Sequence, residues 1–339
     1  MKPLEDAVFK VQGVYGELER FKKEGFRPDV VYGHAGWGAP LFIKDIFPNV
    51  RLLCYFEWFY RSNGSDVGFD PDEPVTIDDR LRIRMKNAPI LSDLYSCDAG
   101  LCPTKWQASQ FPFEFFSKLT VLHDGIDTSY FSPRPDENPV WPEIGLDLTG
   151  VKDIVSYVSR GLEPYRGFPQ FMEAASIVLK RRKKCHVVVV GEDRVAYGKR
   201  LPDGKTYKQA MLEKFEFDLS RLHFTGRLPY DQYRRVLRNS SVHVYLTRPF
   251  VLSWSMLEAL SAGCLLVASD TQPVREVLEN RQNGLLVNFF NPQEIADRIE
   301  EGLDNPSEMK IIRDNARQTI LERYDLAGLL PRHLAWIRS

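Results

Sequence analysis

Two arginines flank one short loop in the second half of the chain and are suited to binding phosphate. Arg160 and Arg166 bracket a segment with Gly and Pro that directly follows the apolar run Asp153–Ser159. Guanidinium groups hold phosphates through several hydrogen bonds at once. The pair therefore fits an anion site, although two arginines on a loop are also ordinary surface residues.

A helix start and a carboxylate form a second candidate site. Ser253 precedes the apolar stretch 254–261 as an N-cap would, and Gly263 follows its end. The free amides and the positive end of such a helix bind phosphate. Glu258 lies about one turn inside this helix among apolar residues. Its carboxylate could accept two ribose hydroxyls, or it could pair with a nearby arginine.

A histidine and an aromatic cluster are the candidates in the first half. His34 follows the apolar run Val30–Gly33 and starts a glycine-rich turn. The segment 55–60 carries five aromatic residues and one carboxylate, which suits sugar stacking but is also common in protein cores. From these segments we predict contacts with an acceptor at Trp37, Glu57 and Tyr60.

Metal and redox signals are weak. Asp70-Pro71-Asp72 matches an Asp-x-Asp metal pattern, but it lies in a Pro-rich loop rather than at a strand end, so no metal site is predicted. The five cysteines form no CxxC pair, which indicates reduced thiols in a cytoplasmic protein.

The elements that position these residues alternate between strands and helices, which predicts an α/β fold with parallel sheets. In such sheets ligands bind at the carboxyl ends of the strands. Helices are predicted between the strands, near 230–238, 254–261 and 273–280 among others. The predicted strands are Val30–Gly33, Leu52–Phe56, Ala99–Cys102, Leu119–Leu122, Asp153–Ser159, His186–Val190, Leu222–Thr225, Val242–Leu246, Cys264–Ala268 and Leu285–Val287.

A Pro-rich polar stretch, residues 132–139, is interpreted as the linker between two domains. We predict a first domain over 1–140, a second over 141–324, and a terminal helix over 325–339 that packs back on the first domain.

Charge and hydropathy exclude several classes of function. The chain of 339 residues has 45 basic and 46 acidic residues, a net charge of −1, which argues against general nucleic-acid binding. The beginning of the sequence does not read as a signal peptide, and no stretch approaches the ~18 apolar residues of a membrane span. We expect a cytoplasmic protein, with peripheral membrane attachment left open.

The second half carries several motifs in a characteristic order and spacing. They are Val158-Ser159-Arg160 with Arg166-Gly167, Val188-Val189-Val190-Gly191, Phe224-Thr225-Gly226-Arg227, Leu257-Glu258-Ala259, Val274-Arg275-Glu276 and Asn283-Gly284-Leu285. Together they resemble the nucleotide-sugar domain of family-4 retaining glycosyltransferases. His123-Asp124-Gly125-Ile126-Asp127 resembles a turn of the same family that precedes the linker. The resemblance implies a GT-B fold, in which two Rossmann-like domains with parallel sheets face a cleft.

The resemblance also implies roles for individual residues. Arg160 and Arg166 would hold the donor diphosphate, Glu258 would bind the ribose, and His34 would contact the transferred sugar and leaving phosphate. Amides around Ser253, Trp254 and Ser255 would bind the phosphates, and Gly191, Arg227 and Leu228 would border the base. A UDP- or GDP-linked hexose would be transferred, with retention at the anomeric carbon and without metal or cofactor, to a carbohydrate or lipid-linked acceptor.

Two departures from the family pattern affect these expectations. The family commonly has a Glu eight residues before the ribose Glu, and Phe250 stands there. The first domain has only four predicted strands and is shortened relative to the family, so the strand Val30–Gly33 would be an exposed sheet edge. Three explanations are open: a compact variant with rearranged packing, a truncated first domain, or an edge covered by a partner chain or a second copy. A non-catalytic nucleotide-sugar-binding or scaffolding subunit of a glycosyltransferase complex is therefore the alternative to an active enzyme.

Overall fold

The computed structural model describes residues 2–134 and 137–339 and has the predicted α/β architecture. Pro135 and Asp136 of the predicted linker lie outside the described residues. The chain divides into two compact units. Unit 1 comprises Met1–Asp124, Pro249–Val251 and Gly328–Ser339, and unit 2 comprises Gly125–Arg248 and Leu252–Ala327.

Unit 1 contains a four-stranded parallel sheet with strand order β1-β2-β3-β4. Among the described residues β1 pairs with β2 alone, so it is the edge strand that the sequence predicts. The elements are α1 (Lys2–Lys23), β1 (Val30–His34), α2 (Ile43–Ile46), β2 (Arg51–Tyr55), α3 (Ile77–Ser96), β3 (Ala99–Cys102), α4 (Lys105–Ser109) and β4 (Leu119–Val121).

Two helices cover this sheet and help to shape the site. In α3, the Thr76 side chain accepts from the Asp79 amide, and the Asp79 carboxylate accepts from the Thr76 amide. This capping box defines where the helix begins. Helix α1 buries Ala7 and Val11, and the turn after β1 packs closely against it. A Cβ at Gly38, where φ is 100°, would lie 2.2 Å from the Ala7 carbonyl oxygen, so only glycine fits.

Unit 2 contains a six-stranded parallel sheet with strand order β12-β11-β10-β7-β8-β9. Its strands have both faces covered, which explains the fully buried run of four valines at 187–190. The elements are β5 (Val140–Trp141), β6 (Leu146–Asp147), β7 (Ile154–Gly161), α5 (Phe168–Arg181), β8 (His186–Glu192), α6 (Tyr207–Lys214), β9 (Leu222–Gly226), α7 (Tyr230–Arg238), β10 (Val242–Tyr245), α8 (Trp254–Ser261), β11 (Leu266–Ser269), α9 (Gln272–Arg275), β12 (Leu285–Val287), α10 (Pro292–Asp304) and α11 (Pro306–Arg323).

The structure differs from the sequence predictions in three places. The stretch after the Pro-rich segment forms an antiparallel pair, β5 with β6, held by the fully buried Trp141. The helix predicted near 273–280 is the short α9, which starts at Gln272 and has Glu276 as its C-cap. A long helix, α11, had no sequence prediction, and four of its side chains are buried, including Met309 and Ile320.

The last helix, α12 (Leu326–Arg338), contacts the sheet of unit 1 from residue 328 onward. Leu329 joins the cluster of Leu101 and Leu122, and the Trp336 ring lies 5.8 Å from the ring of Tyr32 on β1. None of the helices among the described residues combines the length and the apolar composition needed to span a bilayer.

Candidate functional site

A cavity of about 570 Å³ opens at the carboxyl ends of β7 and β8 in unit 2. The start of α8 and the residues after β9 complete its wall. This is where α/β sheets bind ligands. Eight residues predicted for the donor line it: Arg160, Gly191, Arg227, Leu228, Ser253, Trp254, Ser255 and Glu258.

Close backbone packing shapes one wall of this cavity. Gly191 lies at the end of β8 with φ at 155°, and a Cβ there would be 2.5 Å from the Ser159 carbonyl oxygen of β7. Only glycine therefore lets the two strand ends approach this closely. The family resemblance implied a role for Gly191, and the structure gives a steric reason for glycine at this position.

The N-terminus of α8 presents amides to the cavity. Ser253 is the N-cap, and its hydroxyl oxygen accepts a hydrogen bond from the Ser255 amide at 3.3 Å. The Ser253 amide donates to the Tyr245 hydroxyl at 3.0 Å. Trp254 is exposed at the first position of the helix. The remaining first-turn amides and the positive end of the helix form an environment that favours anions.

Glu258 is buried, and two tyrosines hold its carboxylate. It is 5% exposed, one oxygen accepts from the Tyr233 hydroxyl at 2.7 Å, and the other accepts from the Tyr230 hydroxyl. Burial raises the pKa of Glu258, and the tyrosine hydrogen bonds oppose that rise. The arginine pair that the sequence left open is absent among the described residues. Both tyrosines come from α7 and were missed because helix pairing is not visible in the sequence.

Arginines surround the mouth of the cavity. Arg160 is exposed, Arg194 forms an ion pair with Glu192, and the Arg227 guanidinium lies 4.0 Å from the Glu192 carboxylate. The hydrogen bond from Arg194, with the charges of Arg227 and Arg160, lowers the pKa of Glu192. Three guanidinium groups against one carboxylate leave a positive balance. Arg194 was not predicted, although its position just after β8 follows the strand-end rule.

Arg166 does not line this cavity. It is 8% exposed and donates to the Thr247 hydroxyl at 2.7 Å and to the Tyr245 hydroxyl at 3.1 Å. The Tyr245 hydroxyl also accepts from the Ser253 amide. A single hydroxyl therefore connects the Arg166 guanidinium to the N-cap of α8.

A buried carboxylate joins two loops beside Arg160. Glu163 is fully buried and accepts from the amides of Ala196, Tyr197 and Gly198 at 2.9, 2.8 and 2.7 Å. These three backbone donors satisfy most of the hydrogen-bonding capacity of the Glu163 carboxylate and hold the segment that follows β8 in place. Arg194 is held at the start of that segment.

Unit 1 has its own cavity, of about 510 Å³, at the carboxyl ends of β1 and β2. His34, Trp37, Glu57 and Tyr60 line it, so the structure brings together the predicted catalytic histidine and the predicted acceptor residues. Lys10 of α1 and Lys86 of α3 also line it, and the sequence analysis did not single them out.

His34 pairs with the carboxylate of this cavity. Its Nε2 lies 3.6 Å from the Glu57 carboxylate, and its Nδ1 is 3.0 Å from the Ala35 carbonyl oxygen. Burial lowers the pKa of His34, but Glu57 and the Ala35 carbonyl outweigh burial, so the pKa is raised above its usual value. Glu57 therefore stabilises the charged imidazole relative to the neutral one.

The Asp-x-Asp segment is part of a separate open pocket of about 580 Å³ lined by Asp70, Glu73 and Arg80, among others. No cluster of three or more His, Cys, Asp or Glu side chains that could hold a metal ion occurs in the described part of the chain.

Family profiles match both halves of the chain. The profile described as glycosyl transferases group 1 matches residues 148–319, and that of the glycosyl transferase family 4 group matches residues 1–131. One curated relative is the alpha-D-kanosaminyltransferase of Streptomyces kanamyceticus, 26% identical over 177 residues. That alignment covers 52% of this chain and 43% of the relative, so the chain spans less than half the length of that protein.

Solved structures show the fold. HepE from Anabaena, in complex with UDP, aligns with a TM-score of 0.73 at 15% identity over 96% of this chain and 81% of HepE. Sucrose-phosphate synthase from Thermosynechococcus elongatus aligns with a TM-score of 0.71 at 15% identity, over 97% and 78% of the two chains. The chain has their fold, which is the GT-B type that the sequence resemblance implied.

Proposed function

The chain belongs to the glycosyl transferases group 1 family, and from that premise we propose that it transfers a sugar from a nucleotide diphosphate sugar to an acceptor. In this proposal the anomeric configuration is retained and neither metal nor cofactor takes part. The observation that carries it is the cavity of unit 2, where Glu258, the start of α8 and three arginines lie at one sheet edge.

We assign the nucleoside to the Glu258 end of the cavity. A buried carboxylate that already accepts two hydroxyl hydrogen bonds is suited to accept the two hydroxyls of a ribose. Tyr230 is 54% exposed and Tyr233 is 6% exposed. The ribose therefore replaces the Tyr230 hydroxyl, while the Tyr233 hydroxyl stays on the carboxylate.

The diphosphate is assigned to the amides of α8 and to Arg160, with Arg194 and Arg227 beside them. These groups neutralise the charge that develops when the leaving diphosphate departs. We assign Arg166 an indirect role at the diphosphate, because the Tyr245 hydroxyl links its guanidinium to the Ser253 amide. The Arg166 charge then acts on the N-terminus of α8 although the guanidinium does not line the cavity.

The proposed transfer needs no reagent other than the donor and the acceptor. The bond from the anomeric carbon to the diphosphate oxygen breaks, the acceptor oxygen bonds to that carbon, and the acceptor proton passes to the departing diphosphate. We assign the acceptor to the cavity of unit 1, and His34, which lies beside Glu57, supports turnover there.

A nucleotide screen tests the proposal. Thermal unfolding is followed with UDP, GDP and ADP, and nucleotide release is then measured from the sugar conjugates of any nucleotide that binds. We expect stabilisation and release, both weakened by Glu258→Gln and unchanged by the exposed control Glu308→Gln. Stabilisation without release would favour the binding-subunit alternative, and no stabilisation by any nucleotide would refute the donor site.

A further inference from the structure

The cavity of unit 1 carries positive charges that the proposed transfer step does not use. Helix α3 contributes Arg82, Lys86 and Ile90, which lie at intervals of four and share one helix face. Helix α1 contributes Asp6 and Lys10 with the same spacing. Two helices therefore direct three cationic side chains to one cavity.

Most of the carboxylates near this cavity are already engaged. Glu57 lies 3.6 Å from His34, and Asp79 pairs with Arg82 at 3.2 Å on the same helix. Asp6 is the other acidic residue of the lining and is exposed. Within the described residues, neither Lys10 nor Lys86 forms an ion pair.

Each of these two lysines instead contacts an aromatic ring. The Lys10 ammonium lies 4.8 Å from the centre of the Trp37 ring, and the Lys86 ammonium lies 4.4 Å from the centre of the Tyr60 ring. Lys86 is half-buried, and burial lowers its pKa. The Asp66 carboxylate partly offsets this effect, and the nearby Arg82 charge adds to it. A partly desolvated ammonium without an ion pair still gains from an anion brought by a ligand.

We propose that the acceptor is an anionic saccharide whose carboxylate or phosphate binds Lys86 and Lys10. The rings of Trp37 and Tyr60 would pack on its sugar face. This inference rests on the proposed function, because it names the substrate class of the acceptor site. It extends that function from any carbohydrate acceptor to one that carries negative charge.

The test compares one neutral sugar with two anionic sugars of similar size. Dissociation constants are measured by ligand-observed NMR on the full chain, with and without saturating UDP. The probes are methyl β-D-glucoside, methyl β-D-glucuronide and glucose 6-phosphate. We expect at least one anionic sugar to bind about tenfold or more tightly than the glucoside, which is about 1.4 kcal/mol. Preference for the glucuronide identifies a carboxylate, and preference for the phosphate identifies a phosphorylated sugar.

Variants assign the preference to the two lysines. Lys86→Met and Lys10→Met should each reduce the anionic preference, and the preference should also shrink as salt is raised. Lys23→Met removes the same charge from an exposed position at the end of α1 and should have no effect. An unchanged thermal midpoint shows that each variant is folded.

Two results would overturn the inference. They are equal affinity for the neutral and anionic sugars, or equal weakening by Lys23→Met and Lys86→Met. Failure of the proposed function would give a different result: the chain would neither bind nor release nucleotide. The affinities of the neutral and anionic sugars for unit 1 could still be compared in that case. Conversely, nucleotide release with no preference for anionic sugars would refute this inference and keep the transferase.

Discussion

Removal of the Tyr230 hydroxyl should tighten nucleotide binding. Tyr230 and Tyr233 both donate to Glu258, but the first is largely exposed and the second is buried. If a ribose hydroxyl takes the place of the Tyr230 hydroxyl, that hydrogen bond exists only in the free protein. Tyr230→Phe then destabilises the free form and leaves the complex unchanged.

The magnitude follows from the exposure of the two tyrosines. A hydrogen bond to a charged group contributes about 1.5–3 kcal/mol, and water can replace part of it at an exposed position, so we take about 1 kcal/mol for Tyr230. The free energy of unfolding should fall by that amount, and the dissociation constant should fall about fivefold. The ring stacking of Tyr230 on Tyr130, at an angle of 14°, is kept in the Phe variant.

The assay pairs urea unfolding with calorimetric titration of the tightest-binding nucleotide. Tyr233→Phe is the matched control, because its hydroxyl donates to Glu258 in the free and bound states alike. This variant should lose about 1–3 kcal/mol of stability without tighter binding. Weaker binding by Tyr230→Phe, with stability unchanged, would mean that its hydroxyl contacts the nucleotide directly and would refute the exchange.

Three further variants test other parts of the two sites. Glu57→Gln should lower the pKa of His34, which NMR can measure. Because the pKa of His34 is raised in the folded protein, wild type gains stability below about pH 6.5 and loses it as the pH rises through the folded pKa. The stability of the variant should lack this pH dependence. Burial raises the pKa of Asp93 to about 7, although the Gly36 amide donates a hydrogen bond to its carboxylate. Wild type should therefore lose on the order of 1–3 kcal/mol of folding stability relative to Asp93→Asn as the pH rises from about 4 to 7. Glu163→Ala leaves three amides without an acceptor, so proteolysis after residue 193 should accelerate and nucleotide affinity should fall about tenfold. The account of His34 would be contradicted if Glu57→Gln left its titration unchanged. The account of Asp93 would be contradicted if the stability difference between wild type and Asp93→Asn did not change with pH. The account of Glu163 would be contradicted if Glu163→Ala kept the loop resistant to proteolysis.

Strand positions were predictable because apolar runs followed by glycine or polar residues mark where parallel strands end. Ala99–Cys102 and Leu285–Val287 agree with the predicted strands residue for residue. The positions of Glu258 and Ser253 on α8 followed from local capping and spacing in the same way. These features depend on neighbours in the sequence, so they can be inferred from it.

Contacts between distant elements could not be predicted. Tyr230 and Tyr233 meet Glu258 only because α7 packs beside α8, and no spacing rule encodes that pairing. Arg166 was predicted at the diphosphate, yet burial places its guanidinium on Tyr245 and Thr247. Lys86 had no prediction, because the cavity that it lines forms only where distant segments of unit 1 pack together.

The most direct test of the donor site is a crystal structure of the chain with UDP bound. We expect the ribose hydroxyls within about 3 Å of the Glu258 carboxylate, the Tyr230 hydroxyl displaced from it, and the diphosphate at the amides of α8 and Arg160. A bound UDP whose ribose lies elsewhere, with both tyrosines still on Glu258, would contradict the assignment of this cavity as the nucleotide-sugar site.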